Sequence, residues 1–247
     1  MLRKGNILRL LLTAVMLPWL VSCGGDKPSA FEVFAFSENP CQADSTLTVC
    51  QSFDIDLTLM KAGPKDHEAA LINQSLLQWV LGFETADGPQ KAIEHFVEQK
   101  KATLTADSSF HCRMHLYPEL AEEDIVSFVY NANADTYYRT YSTKTGRLID
   151  EKALFQGDAW KDGLADMLNK SKPSLADTAS ADSAVAYTVA EIHPNNNFRI
   201  TATGLIYHYN PGEIAPAAKG GVDIAVPSYQ IDKLLNRDCE IFRYWFD

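Results

Sequence analysis

Between Thr46 and Lys101 the spacing of apolar residues changes once, from every second residue to every third or fourth. From Thr46 to Leu59, Phe53, Ile55, Leu57 and Leu59 share one face, while Asp54, Asp56 and Thr58 share the other. Alternation of this kind marks a strand with one face buried. From Asp66 to Leu81, Ala70, Ile72, Leu76, Leu77 and Val80 recur at helical spacing. Pro89 opens a second helix, with Ile93, Phe96 and Val97 as its stripe and Lys91, Glu94, Glu98 and Lys101 toward water. A strand followed by paired helices excludes an all-β sandwich and an all-helical bundle. This chain must lay helices on a sheet.

The rest of the pattern extends that reading. Strands are expected from Phe31 to Phe36, Phe110 to Leu116, Ile125 to Tyr130, Thr136 to Ser142, Ala184 to Ile192, Phe198 to Tyr209 and Val222 to Val226. Short helices are expected from Trp160 to Leu168 and from Tyr229 to Leu235. Lys144-Thr145-Gly146-Arg147 is a turn, and the stretch from Lys170 to Ser183 has no periodicity. The order predicts an α+β fold, mostly antiparallel sheet packed with a few helices, over residues 31–247. Within it, 31–170 and 184–247 are candidate subdomains joined by a loop at 171–183.

The N-terminus is of another kind. Arg3, Lys4 and Arg9 surround the start of an apolar run from Ile7 to Val21, broken at Pro18. The run is shorter than the ~18–20 residues a spanning helix needs and reads as a secretory signal over residues 1–22. Its end, Leu20-Val21-Ser22-Cys23-Gly24, resembles the bacterial lipobox. That resemblance implies cleavage before Cys23, lipid on the new N-terminal cysteine, and residues 23–30 as a tether. The expected location is therefore the cell envelope, with the membrane as partner through the lipid.

Two consequences follow. The signal takes with it three basic residues and no acidic one, so the net charge of −10 becomes −13. An acidic balance argues against a nucleic-acid partner, since phosphate binding needs a positive footprint. Lipidation also leaves Cys41, Cys50, Cys112 and Cys239, an even set in an oxidising compartment. Of the pairings they allow, Cys41–Cys50 closes a local loop and would leave Cys112–Cys239 to tie the C-terminus to mid-chain.

Motifs that look catalytic fail on context. Asp54-Ile55-Asp56-Leu57-Thr58 has the DxDxT spacing of a phosphatase nucleophile, but its carboxylates lie inside an alternating strand. Asn131-Ala132-Asn133-Ala134-Asp135 begins like a calcium loop, yet Thr136 and Ser142 stand where Gly and Glu belong, so a hairpin turn is expected. His111 and His115 fall with Arg113 on an outer strand face and have no third ligand. No nucleophile elbow, P-loop or dinucleotide fingerprint is present, so no catalytic residue, metal or cofactor is assigned.

The most specific segment runs from Gly204 to Leu235. Leu205, Tyr207 and Tyr209 alternate along a strand that Asn210-Pro211-Gly212 breaks, and Gly220-Gly221 allows return into Val222, Ile224 and Val226. Tyr209, Asn210, Pro211, Glu213, Ile214, Ala215, Pro216, Gly220, Pro227 and Leu234 fall in the order of an extracellular family motif. So do Tyr137 to Tyr141, Lys144-Thr145-Gly146 and Leu154-Phe155. The chain thus resembles the RsiV-like extracellular domain family, which is also attached to the peptidoglycan deacetylase PdaC. A Gly-Ala-His loop common in that family is replaced here by Asn133-Ala134-Asp135.

The resemblance implies an envelope-exposed binding module for a protein, lysozyme-like muramidases among them, or for a cell-wall glycan. Tyr207, Tyr209, Asn210, Pro211, Glu213 and Pro216 are the candidate binding or motif residues. Two alternatives stand beside it: an accessory or catalytic component of peptidoglycan modification, and a structural envelope lipoprotein.

Overall fold

A computed structural model describes residues 30–43, 47, 49–83, 87–105, 108–175 and 186–246. The signal residues, Cys23 and the tether as far as residue 29 lie outside the described residues. The chain forms β1 (Phe31–Glu38), α1 (Pro40–Ala43), β2 (Gln51–Met60), α2 (His67–Leu81), α3 (Pro89–Thr103), β3 (Phe110–Ala121), β4 (Ile125–Ala132) and β5 (Asp135–Ser142). It continues through α4 (Glu151–Leu154), α5 (Trp160–Ser171), β6 (Phe198–Thr201), β7 (Gly204–Tyr209), β8 (Val222–Pro227), α6 (Ser228–Ile231) and α7 (Glu240–Phe246). The fold is α+β, as the order of periods predicts. Among the described residues, no helix is long and apolar enough to cross a membrane.

Strands β1 to β5 form one sheet in sequence order, and β6, β7 and β8 a second. Every neighbouring pair is antiparallel except β2–β3. A parallel pair needs a long crossover, and the α2–α3 hairpin supplies it. Gly82, at φ +83°, ends α2 in the left-handed conformation and returns its N–H to the Gln78 carbonyl. Pro89 starts α3, and Lys100 and Lys101 sit in its last turn, where the helix dipole favours positive charge.

Two hydrophobic cores result. In the first, Ile72, Leu76, Ile93 and Val97 of the helices lie on Phe53, Ile55, Leu57 and Leu59 of β2. In the second, Leu154, Trp160, Leu164 and Leu168 pack against Leu205, Tyr207, Ile224 and Val226. Strand β4 serves both. Val126, Phe128 and Tyr130 enter the first core, while Ile125 enters the second. Its sequence is accordingly an unbroken run of buried residues from Ile125 to Tyr130, without alternation of polar positions.

Several expectations are corrected. Cys41 and Cys50 are bonded, with Cα atoms 5.8 Å apart, but Cys112 and Cys239 are buried free thiols. Each belongs to a different core, Cys112 to the first and Cys239 to the second. The loop expected at 171–183 lies outside the described residues from 176 onward, and α5, at the end of the first candidate subdomain, packs with the second sheet. Residues 186–192 form no strand; Val189 and Ile192 meet the second core as an irregular segment, tied by Thr188 N–H to the Ile214 carbonyl.

The single strand expected from Phe198 to Tyr209 is a hairpin that reverses between Thr201 and Gly204. Gly204 has φ +148°, and a Cβ there would lie 2.3 Å from the Val226 carbonyl oxygen. The helix expected from Tyr229 to Leu235 stops at Ile231, and a further helix not anticipated, α7, inserts Ile241 into the core.

Candidate functional site

The Asn-Pro motif proves to be a joint between the sheets. Strand β5 is an edge, so its outward N–H and C=O groups need partners. Asn210 Oδ1 accepts from Thr136 N at 2.7 Å. Asn197 Oδ1 accepts from Tyr138 N at 2.9 Å, and its Nδ2 donates to the Thr136 carbonyl at 2.9 Å. Farther along, Ile149 N donates to the Thr140 carbonyl and Ser142 N to the Arg147 carbonyl. Two amide side chains thereby stand in for a sixth strand. Asn197 and Asn210 are buried at 7% and 4% exposure, as polar groups with such a task must be.

The tyrosines of the motif face inward. Tyr207 and Tyr209 are buried in the second core, so neither offers a ring to a sugar. Tyr209 OH donates to the His193 carbonyl at 2.8 Å. Glu213 is exposed, accepting from Asn195 Nδ2 at 3.3 Å, and Pro216 lies on the surface before a short 3-10 turn. Pro211 is half-buried. The six residues therefore share a region but form no cleft.

An open polar surface lies elsewhere. Strand β3 sets His111, Arg113, His115, Tyr117 and Glu119 along the sheet face opposite the helices. The parallel register puts Ser52, Asp54 and Asp56 beside the first three. Ser52 Oγ meets His111 Nδ1 at 2.7 Å, and Asp54 Oδ2 meets His115 Nε2 at 3.2 Å and Arg113 Nε at 3.7 Å. Burial raises Asp56 above the usual carboxylate range, against the pull of His115. At the head of β2 and β3 this face deepens into a cleft of about 510 Å³. Ser37, Asn39, Ser52, Asp54, Arg113 and Asn133 are among its lining residues. Asn133, at φ +55°, turns the β4–β5 hairpin and accepts from Arg113 N at 3.0 Å. The aspartates thus lie on a solvated strand face and the asparagines in a turn. Among the described residues, no group of three His, Cys, Asp or Glu side chains is placed to hold a metal ion.

At the other end of β3, Glu119 reaches the second sheet. Arg199 Nη1 contacts Glu119 Oε1 at 3.0 Å, and Arg199 Nη2 contacts Asp223 Oδ2 at 3.5 Å. Asp223 Oδ1 also bonds His208 Nδ1 at 2.6 Å, which holds its carboxyl below the usual range. Sequence reasoning passed over Glu119, Arg199, Asp223, Asn197 and Glu151. The only available signal for the loop was Asn195-Asn196-Asn197 after Pro194, three amides where a loop needs few.

The fold is a two-sheet α+β domain with a polar cleft at the head of β2 and β3. Within it, residues 149–229 match the model of a family described as a protein of unknown function, DUF3298, so the chain carries a DUF3298 domain. No curated protein matches the chain. A DUF3298 family member from Bacteroides fragilis is similar in fold, with a TM-score of 0.68, 16% identity, and coverage of 87% of this chain and 97% of that one. A DUF3298 family protein from Pseudomonas aeruginosa follows with a TM-score of 0.55 and 12% identity, over 85% of this chain and 96% of its own. At such identities the likeness concerns the fold.

Proposed function

We propose that the chain is a lipid-anchored binding module of the cell envelope, and that it takes its ligand in the cleft at the head of β2 and β3. The cleft carries this reading. Its walls are hydroxyl, amide, carboxylate and guanidinium groups, which suit a hydroxyl-rich ligand such as a cell-wall glycan. The lipobox ending in Cys23 supports the anchor and the compartment. The RsiV-like resemblance supports an envelope partner.

Titration of the protein with soluble peptidoglycan fragments, followed calorimetrically, tests the cleft. Saturable binding that weakens about tenfold in Arg113→Ala, with an unchanged unfolding transition, is the expected result. Absence of binding, or an unaltered affinity in the variant, refutes the cleft. Radiolabelled palmitate incorporation that disappears in Cys23→Ala tests the anchor.

A lysozyme-like protein is the second reading, supported by the net charge of −13 expected after signal removal. Retention of lysozyme that falls between low and moderate salt would favour it over the glycan. The peptidoglycan-modifying alternative finds less support, since His111 and His115 bond Ser52 and Asp54.

A further inference from the structure

A second concavity lies on the DUF3298 domain and shares no residue with the cleft. It has a volume of about 190 Å³, and its walls are Glu151, Trp160, Lys161, Asp162, His193 and Pro194. Sites for drug-sized ligands run to roughly 300–1,000 Å³, so this one accepts a single side chain or a small fragment.

Glu151 is built into place. Its Oε1 accepts from Asn196 N at 2.8 Å while its own N–H donates to Asn196 Oδ1 at 3.0 Å. Behind it stands the Tyr207 hydroxyl, at 0% exposure, whose polar neighbour is the Glu151 carboxylate, close enough to interact but outside strict hydrogen-bond geometry. Trp160 is fixed by stacking on Phe155, at 5.0 Å between ring centres. The Lys161 ammonium already stands 5.8 Å from the Trp160 ring.

We propose that this pocket binds a primary alkylammonium group, with Glu151 as its counter-charge and the Trp160 ring as its wall. A carboxylate withdrawn from water gains most from an opposite charge with its own donors, and an aromatic ring adds cation–π attraction. Asp162 in the wall adds to the negative potential, and Lys161 is the native cation that a ligand displaces. Burial raises the Glu151 carboxyl above the usual range, in keeping with a group that lacks a full counter-charge.

The test titrates the full-length protein in detergent with n-butylammonium, n-butanol and Nα-acetyl-lysine amide, read by NMR. Butylammonium is expected to bind at least about tenfold more tightly than butanol, and Glu151→Gln to remove that preference. Lys161→Ala, a surface change that spares the fold, is expected to tighten butylammonium severalfold. Matching affinity for acetyl-lysine amide identifies a polypeptide side chain as the source, and binding of butylammonium alone identifies a small amine. Equal affinity for butylammonium and butanol, or a Glu151→Gln variant that binds like the wild type, overturns the proposal. The cleft on β2 and β3 shares no residue with this pocket, so either outcome leaves that reading standing.

Discussion

The two cores are built by different means. The first rests on long, regular elements: fifteen residues in each of α2 and α3, ten in β2 and twelve in β3. The second contains four-residue pieces such as α4, β6 and α6. Elements so short leave many backbone groups outside any ladder, and amide side chains take them up. Asn169 bonds both the N–H and the carbonyl of Ile192. Asn236 bonds the Ala153 carbonyl, Gln156 the Leu235 carbonyl, and Asn197 and Asn210 the edge of β5. An amide carries a donor and an acceptor in the arrangement of a peptide group, so it pairs with backbone where no strand is available. The first core uses the device too, Asn73 bonding the N–H and carbonyl of Met60, but its long elements rest chiefly on pattern, and the second core leans more on single residues.

Glycine substitution breaks that comparison most sharply. Gly204→Ala places a Cβ 2.3 Å from a backbone oxygen in the second sheet, and nothing flexible can yield. A loss of about 4 kcal/mol is expected, at the upper end for a point change. Gly82→Ala, at the end of α2, has no atom within 4 Å of the new Cβ and only its positive φ to oppose it. About 1 kcal/mol is expected there. Urea midpoints measure both, and similar losses would erase the distinction.

The cysteines come next. Reducing Cys41–Cys50 opens a loop with a sequence separation of 9 and should cost about 2.5 kcal/mol of stability. In a form beginning after Cys23, denaturation without reductant should expose two titratable thiols, Cys112 and Cys239. No titratable thiol would reinstate the long-range pairing.

Removing one joint amide is next in size. Asn197→Ala strips the Tyr138 N–H and the Thr136 carbonyl of their partner, at about 2 kcal/mol. Asn197→Asp keeps the acceptor for Tyr138 and should lose less. Hydrogen exchange at Tyr138 separates the two, since the Asp variant should retain protection that the Ala variant loses.

These contrasts explain what could be read in advance. The helices over Asp66–Leu81 and Pro89 onward, and the strand face Phe53, Ile55, Leu57 and Leu59, were legible because burial repeats along each element. The break between Thr201 and Gly204 was marked only by a change of phase, from Phe198 and Ile200 to Leu205, Tyr207 and Tyr209, and by a single glycine packed on Val226. Tyr207 and Tyr209 were legible as a motif, yet their direction was not. A strand tyrosine is a core residue or a platform according to which sheet face the rest of the chain covers. Glu151 had no periodic neighbour to announce it.

The smallest effect concerns two carboxylates of the DUF3298 domain that should respond to pH with opposite sign. His208 holds Asp223 below its ordinary range, so the stability it contributes is present above the unfolded aspartate value and lost as pH falls through the folded one. Its side chain is 47% exposed, so solvent screening leaves ~0.5 kcal/mol at most. Burial raises Glu151, so its contribution is fully present below the unfolded glutamate value and lost as pH rises through the folded one. Urea midpoints taken from about pH 3 to pH 8 should therefore diverge for the two variants. Relative to wild type, Asp223→Asn should lose ground only above the acidic limb, whereas Glu151→Gln should gain as pH rises. If both difference curves slope the same way, the contrast between an ion-paired and a desolvated carboxylate fails, and with it the account of Glu151 as a charge raised by burial.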